Sequence, residues 1–529
     1  MKTYDLAIVG YGPTGMTLAA LMGQQGHHVV VLDRYQGLYN LPRAACFDDE
    51  IMRMFQKLRL ADEVLPGTVV QTAYNWVNAA GETLVEMTYD NPGKEGWAAL
   101  YMMYQPHIEA VLDRRCRSLP TVEVRQGMAV DGLVVTGGEV ELAATDTGGN
   151  RVLVRSRYVV GADGGAGFVR PALAVGFSDY RFQENWLVCD FRKRRELASV
   201  PAFQQVCDPV QPVSIVQIGP DHHRFSFMLD PDESVVSATD ERRVWERVAS
   251  YLGPDDADLV RVANYTFRSR IADSWRQGPV LLAGDAAHEM PPFLAQGMCS
   301  GMRDSHNLAW KLDLVLTGRA EPRILDSYQA EREPHVRFIT EKAIELGRVQ
   351  TLRDPAAARL RDERLLAQRR ARESPEKIRY PGLTAGLIAA GAPHAGALFI
   401  QGRVRSADGT ERLFDDLAGA GPCIVVRRPA TLAAVTAEQV ERWETLGGRV
   451  VRLRTAAEPA NAGAASAPVT ELLDIDGVYD AWFRARDCAA AVVRPDWYLY
   501  GTAADAAGLS ALLRDMEGAL VMKSETHYA

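Results

Sequence analysis

The first 33 residues constrain the fold more than any other stretch. Asp5 to Val9 reads as a short buried strand, Gly10-Tyr11-Gly12-Pro13-Thr14-Gly15 as a turn, and Met16 to Gln25 as a helix. His28 to Leu32 is a second strand, ending at Asp33. Such a strand–turn–helix–strand unit opens a doubly wound parallel sheet. Gly10 permits the tight turn, Gly12 lets backbone approach a pyrophosphate, and Gly15 lets helix and strand pack closely. Pro13 and Thr14 begin a helix whose unpaired N–H groups favour an anion. Asp33, 18 residues beyond Gly15 and followed by Arg34, is placed to accept hydrogen bonds from an adenosine ribose. A dinucleotide is expected here, and the motif alone does not choose between NAD and FAD.

Composition narrows the rest. With 47% apolar and 24% charged residues the chain is an ordinary globular protein, which excludes disorder as the main state. At about 150 residues per domain, 529 residues suggest three or four domains, or two large ones and a small one. The net charge of −9 carries no electrostatic footprint for nucleic acid, and no apolar run is long enough to span a membrane. Near the N-terminus Asp5 interrupts the apolar run and no cleavage-like site follows. The seven cysteines, at 46, 116, 189, 207, 299, 423 and 488, include no C-x-x-C pair, so neither a disulfide framework nor a metal site is expected. A reduced, cytoplasmic setting follows as an expectation.

Further along, Ser214–Ile218 and Arg224–Leu229, split by Gly219-Pro220-Asp221, read as a hairpin in an antiparallel sheet. A buried strand returns at Val280–Ala283, and an amphipathic helix spans about Gly301–Thr317. Residues 352–378, rich in Arg, Glu and Ala, read as solvated helices or a linker. From 395 a small α/β domain begins, with strands at Ile424–Val426, Val450–Leu453 and Ala491–Val493 and an Ala/Gly-rich loop around 457–467.

Two more strand tips decide the cofactor. Val159-Val160-Gly161-Ala162-Asp163-Gly164 and Leu281-Leu282-Ala283-Gly284-Asp285-Ala286-Ala287-His288 each end in a glycine-flanked aspartate. The second is followed by Pro291-Pro292 and Gln296-Gly297-Met298. Singly, each reads as a helix N-cap. Together and in this order they resemble the group A flavoprotein aromatic hydroxylases over roughly residues 1–345. Leu41-Pro42-Arg43-Ala44 with Asp48-Asp49-Glu50, and Arg224 to Leu229, resemble the 3-(3-hydroxyphenyl)propionate hydroxylase branch. Arg494-Pro495-Asp496-Trp497-Tyr498 resembles the motif that ends the thioredoxin-like domain of those enzymes.

The resemblance implies an α/β protein with an α+β substrate domain: a para-hydroxybenzoate hydroxylase-like FAD fold with a C-terminal thioredoxin-like domain. The FAD-binding part would comprise 1–75, 98–180 and 270–345, the substrate sheet 76–97 and 181–269, a helical linker 346–394, and the last domain 395–529 without C-x-x-C. It implies that Gly10, Gly12 and Gly15 hold the pyrophosphate, Asp33 the ribose, and Arg43 and Gln105 the flavin phosphate and ribityl chain. Val130 would lie in the same crevice, Asp163 near the dinucleotide, Asp285 on the ribityl chain, and Pro292, Gly297 and Met298 along the isoalloxazine. NADH or NADPH would reduce FAD, dioxygen would form a flavin hydroperoxide, and one oxygen would pass to a small phenolic substrate. No second G-x-G-x-x-G domain is present, so the nicotinamide coenzyme would dock transiently on the FAD-binding part. A homodimer is compatible with the last domain.

Two departures from the family pattern concern the flavin. Gly167 stands where serine is usual, and Leu294-Ala295 replace Gly-Gly before Gln296-Gly297, which would restrict the backbone there. No base for the phenol is evident. Asp48, His107, His222 and His223 are candidates, each with a structural alternative as helix-start or turn residues, and His288 belongs to the flavin motif. Gln204, Gln217, Arg224 and Ser226 would face the flavin from the antiparallel sheet. A hydroxylase for another aromatic (resorcinol, nitrocatechol or polyketide type) and a non-catalytic FAD-binding module stay open as alternatives.

Overall fold

Thr3–Val9 and Val29–Asp33 are almost wholly buried apolar strands, and burial on both faces dictates a central place in a parallel sheet. In the computed structural model, which describes residues 3–230, 232–233, 238–373, 378–419, 421–458 and 469–520, they pair in parallel at that centre. Arg151–Gly161 and Val280–Leu282 continue the parallel array on one side, and Val122–Gln126 on the other. The carboxyl ends of the strands leading to Gly10, Asp163 and Gly284-Asp285 therefore lie side by side at one edge of the sheet. Helices Pro13–Gln24 and Gly297–Leu316 pack together where Thr14 Oγ1 would lie 2.3 Å from a Cβ on Gly301.

A second, eight-stranded sheet is built around two long antiparallel strands, Phe177–Lys193 and Ala257–Ala272. The hairpin expected from sequence is there, as Val213–Gln217 paired with His222–Met228. Ala73–Val77 and Thr83–Thr88 close the far edge. Two boundaries differ from expectation. The sheet begins at Ala73, and Phe177–Lys193 crosses residue 181 as one strand, with its pairing to Ala257–Ala272 interrupted between Asp179 and Gln183 where Arg181 takes φ +54°.

Helix Ser327–Gln350 spans the seam between the two sheets, so the connecting region starts after residue 350. Within it, Asp354 caps helix Pro355–Arg370, and Arg361 donates to the Cys207 carbonyl at 2.6 Å. That helix is fastened to the second sheet. The last domain has parallel strands Cys423–Val426, Arg449–Arg454 and Val469–Asp474, with Ala490–Val493 and Leu499–Ala503 antiparallel beside them. Its Cys423 and Cys488 are free thiols. The Ala/Gly-rich loop lies outside the described residues from 459 to 468. Among the described residues no helix is long and apolar enough to cross a membrane.

Candidate active site

The three strand tips open onto one cavity of about 2150 Å³, more than the roughly 300–1,000 Å³ of a single small-molecule site. At its phosphate end Gly10 has φ +106°, and a Cβ there would lie 2.3 Å from the Ala162 carbonyl oxygen. A Cβ on Gly15 would lie 2.1 Å from the Gly10 carbonyl oxygen. Gly12 faces open space, its nearest neighbour being Arg43 Nη2 at 3.9 Å, and it begins a helix without any side-chain cap. The first-turn N–H groups at Thr14 and Gly15 are thus left to an anion. Asp33 accepts from the Tyr11 N–H at 2.7 Å and the Tyr35 N–H at 2.8 Å, which aims its carboxylate at the cleft between Arg34 and Val130.

Asp163 accepts from the Val169 N–H at 2.9 Å through one carboxylate oxygen, while Oδ1 is buried without a partner. Burial raises its pKa. Glycine at 167 has a local cause: a Cβ would lie 2.2 Å from the Asp163 carboxyl carbon. Burial also raises Asp285 on the cleft wall, against the opposing pull of His288 and Arg43. His288 donates to Asp304 at 2.6 Å, and Asp304 in turn accepts from the Gly284 N–H at 3.0 Å, so this histidine anchors the turn.

The loop carrying Arg43 is clamped from two sides. Gln105 Oε1 accepts from the Arg43 and Ala44 N–H groups at 2.9 and 2.6 Å. Arg224 donates to the Pro42 and Arg43 carbonyls at 2.7 and 2.6 Å, and its charge is met by Asp190 at 2.6 Å. Opposite, Pro292 begins a short turn that ends with Ala295 at φ +54°, so the backbone takes a left-handed position without the glycine usual there. Gly297 and Met298 follow on the cleft wall at the start of helix Gly297–Leu316.

Several sequence candidates are relocated. Asp48 lines the cleft, where it caps the Ile51 N–H at 3.2 Å and pairs with Arg303 at 2.5 Å. His107 donates to the Glu63 carbonyl at 2.8 Å, outside the cleft lining. The strand starts at His222, two residues before the expected Arg224. The His222 ring stacks on Tyr104 with centroids 3.9 Å apart, and buried His223 donates to the Pro201 carbonyl. Neither lines the cleft. Gln204 and Gln217 are displaced by strand alternation: Phe203, Gln205, Ser214 and Val216 face the cavity and their neighbours face away. Ser226 lines the cavity, whereas Arg224 lines it as the clamp just described. Sequence reasoning missed Tyr74, His335 and Gln350, which the fold brings into the lining of the same cavity. Burial pushes His335 well below its ordinary value, and the Arg332 and Arg303 cations add to this.

The residues present fit FAD: a side-chain-free cradle at Gly12, an unmet carboxylate oxygen on Asp163, and a cavity with room for a second, smaller molecule. The profile of a family described as FAD binding domain matches residues 3–343, and that of the HcaD C-terminal domain matches 396–519. A probable NADH-specific resorcinol 4-hydroxylase of Rhodococcus jostii (strain RHA1) is 54% identical over 98% of this chain and 96% of its own. A 3-(3-hydroxy-phenyl)propionate/3-hydroxycinnamic acid hydroxylase of Mycolicibacterium gilvum (strain PYR-GCK) is 35% identical over 93% of this chain and 88% of its own. The flavin-dependent monooxygenase PieE, solved with FAD and substrate, superposes with TM-score 0.81 at 21% identity over 99% of this chain and 100% of its own. The chain therefore belongs to the group A FAD-dependent aromatic hydroxylases, the monooxygenases that use NAD(P)H and dioxygen to hydroxylate a phenolic ring.

Proposed function

We propose that this enzyme hydroxylates a small uncharged phenol of the resorcinol (1,3-dihydroxybenzene) type, with NADH as its reductant. One observation carries the choice over a phenylpropionate. A substrate carboxylate calls for an unengaged cation in a dry wall. Among the described residues, the buried arginines of the cavity lining are already neutralised, Arg224 by Asp190 and Arg303 by Asp48 and Glu50, while Lys94 and Arg379, which also border the cavity, are exposed to solvent rather than set in a dry wall. What remains on the sheet is aromatic or neutral polar: Trp186, Phe267, Gln205, Ser214 and Ser226. The 54% identical relative, a probable NADH-specific resorcinol 4-hydroxylase, supports both the ring and the coenzyme.

Bound FAD supplies the hydride acceptance and oxygen activation that no side chain provides. Gly12, Asp33, Asp163 and Asp285 would hold it, and the Gln105–Arg224 clamp fixes the loop that carries Arg43. Phe293, edge-on to Trp186 with centroids 6.0 Å apart and to Phe182, closes the chamber with apolar surface and excludes water from the reacting ring. The test is kcat/KM for resorcinol and for 3-(3-hydroxyphenyl)propionate, scored as hydroxylated product. Resorcinol should lead by at least about tenfold; a lead for the propionate would overturn this choice.

A further inference from the structure

Helix Ser327–Gln350 presents two buried polar side chains to the cavity, His335 and Gln350. Fifteen residues at about 1.5 Å each separate them by about 22 Å, so one phenolic ring cannot touch both. Gln350 belongs to the substrate end. One turn before it, a Cβ on Gly347 would lie 2.5 Å from the Phe293 ring, which packs on Trp186 of the sheet wall. The Gln350 side chain is 1% exposed, and its Oε1 is buried without a hydrogen-bond partner. Its Nε2 donates to the Tyr74 hydroxyl at 3.4 Å. Tyr74 stacks on Phe203 with centroids 3.9 Å apart, and burial holds its hydroxyl well above the ordinary value. It therefore keeps a proton to donate. An unmet carbonyl oxygen beside a phenolic O–H is the complement of a hydroxyl, which donates to the first and accepts from the second. A carboxylate would be repelled by the amide oxygen, and a methyl group would leave that oxygen unsatisfied.

We propose that Gln350 and Tyr74 form the subsite for the second, non-reacting hydroxyl of the substrate, and so select a dihydroxybenzene over a monophenol. The inference deepens the resorcinol reading and rests on it for the identity of the ring.

Binding can be tested apart from turnover. FAD-loaded enzyme is titrated without NADH, using resorcinol and 3-methylphenol, and Kd is read from the visible spectrum of the flavin. Wild type should bind resorcinol about tenfold or more tightly than 3-methylphenol. Gln350→Leu and Tyr74→Phe should each erase most of that preference by weakening resorcinol alone, with FAD content unchanged. Tyr74→Phe keeps the ring stack and supplies the result if Gln350→Leu does not retain FAD. Equal wild-type affinities, an unchanged preference in the variants, or parallel loss of both ligands would overturn the subsite. Gln350-dependent binding of resorcinol without its hydroxylation would sustain the subsite and overturn the substrate reading.

Discussion

Arg494 Nη2 lies 2.7 Å from Glu331 Oε2 with both side chains fully buried, joining the last domain to the helix that borders the cleft. Lys311 Nζ and Asn307 Nδ2 share the same carboxylate oxygen, at 2.8 and 2.6 Å. Burial alone would raise Glu331, yet Arg494 and Lys311 hold it well below the ordinary carboxylate range. Removing one member of a buried pair leaves an uncompensated charge, at about 3–5 kcal/mol. Arg494→Met is expected to lower stability by about that amount, leaving Asp496 as well as Glu331 short of a cation. Thermal unfolding with limited proteolysis of the 378–396 connection checks it, and an unchanged Tm would contradict it.

Gly167→Ser restores the residue usual in the family and is nonetheless expected to harm this chain. Its Cβ would meet both Asp163 carboxylate oxygens at 2.4 Å. Displacing that carboxylate should weaken FAD binding at least about tenfold, read from flavin fluorescence on dilution.

Arg224→Met removes the donors to the Pro42 and Arg43 carbonyls and leaves Asp190 buried without its partner. Hydrogen bonds to a charged group contribute about 1.5–3 kcal/mol, so FAD affinity should fall about 10- to 100-fold. A loss confined to substrate KM, with FAD affinity intact, would contradict the clamp.

Burial pushes the Asp49 carboxyl up to about 7, and the neighbouring Asp48 carboxylate adds to this. The unfolded value is about 3.9. The folded chain therefore holds a proton that the unfolded chain releases. Stability from this group is complete below about pH 4 and is lost as pH rises through about 7. Glu95, pushed up to about 8, acts in the same sense. Asp49→Asn should make the fall in Tm between pH 5 and 8 shallower without abolishing it.

What could be read from sequence was local. The Gly10–Gly15 turn, the Asp33 terminus and the Asp163 and Asp285 tips are set by neighbours within a few residues, and parallel pairing then aligns them. The substrate wall was harder because a strand alternates every residue. Gln205 faces the cavity and Gln204 does not, a distinction invisible without the register. The clamp made by Arg224 had no local signal, because its partners, Asp190 and the 42–43 carbonyls, lie 34 or more residues away. Tyr74 and Gln350, 276 residues apart, carried no mutual signal at all.

Oxygen transfer is tested most directly by isotope. Under ¹⁸O₂, with NADH and resorcinol, the trihydroxybenzene product should carry one ¹⁸O per molecule, with one NADH consumed for each. NADH oxidation that yields only hydrogen peroxide, or a product whose new oxygen comes from water, would contradict a flavin-dependent monooxygenase acting in this cleft.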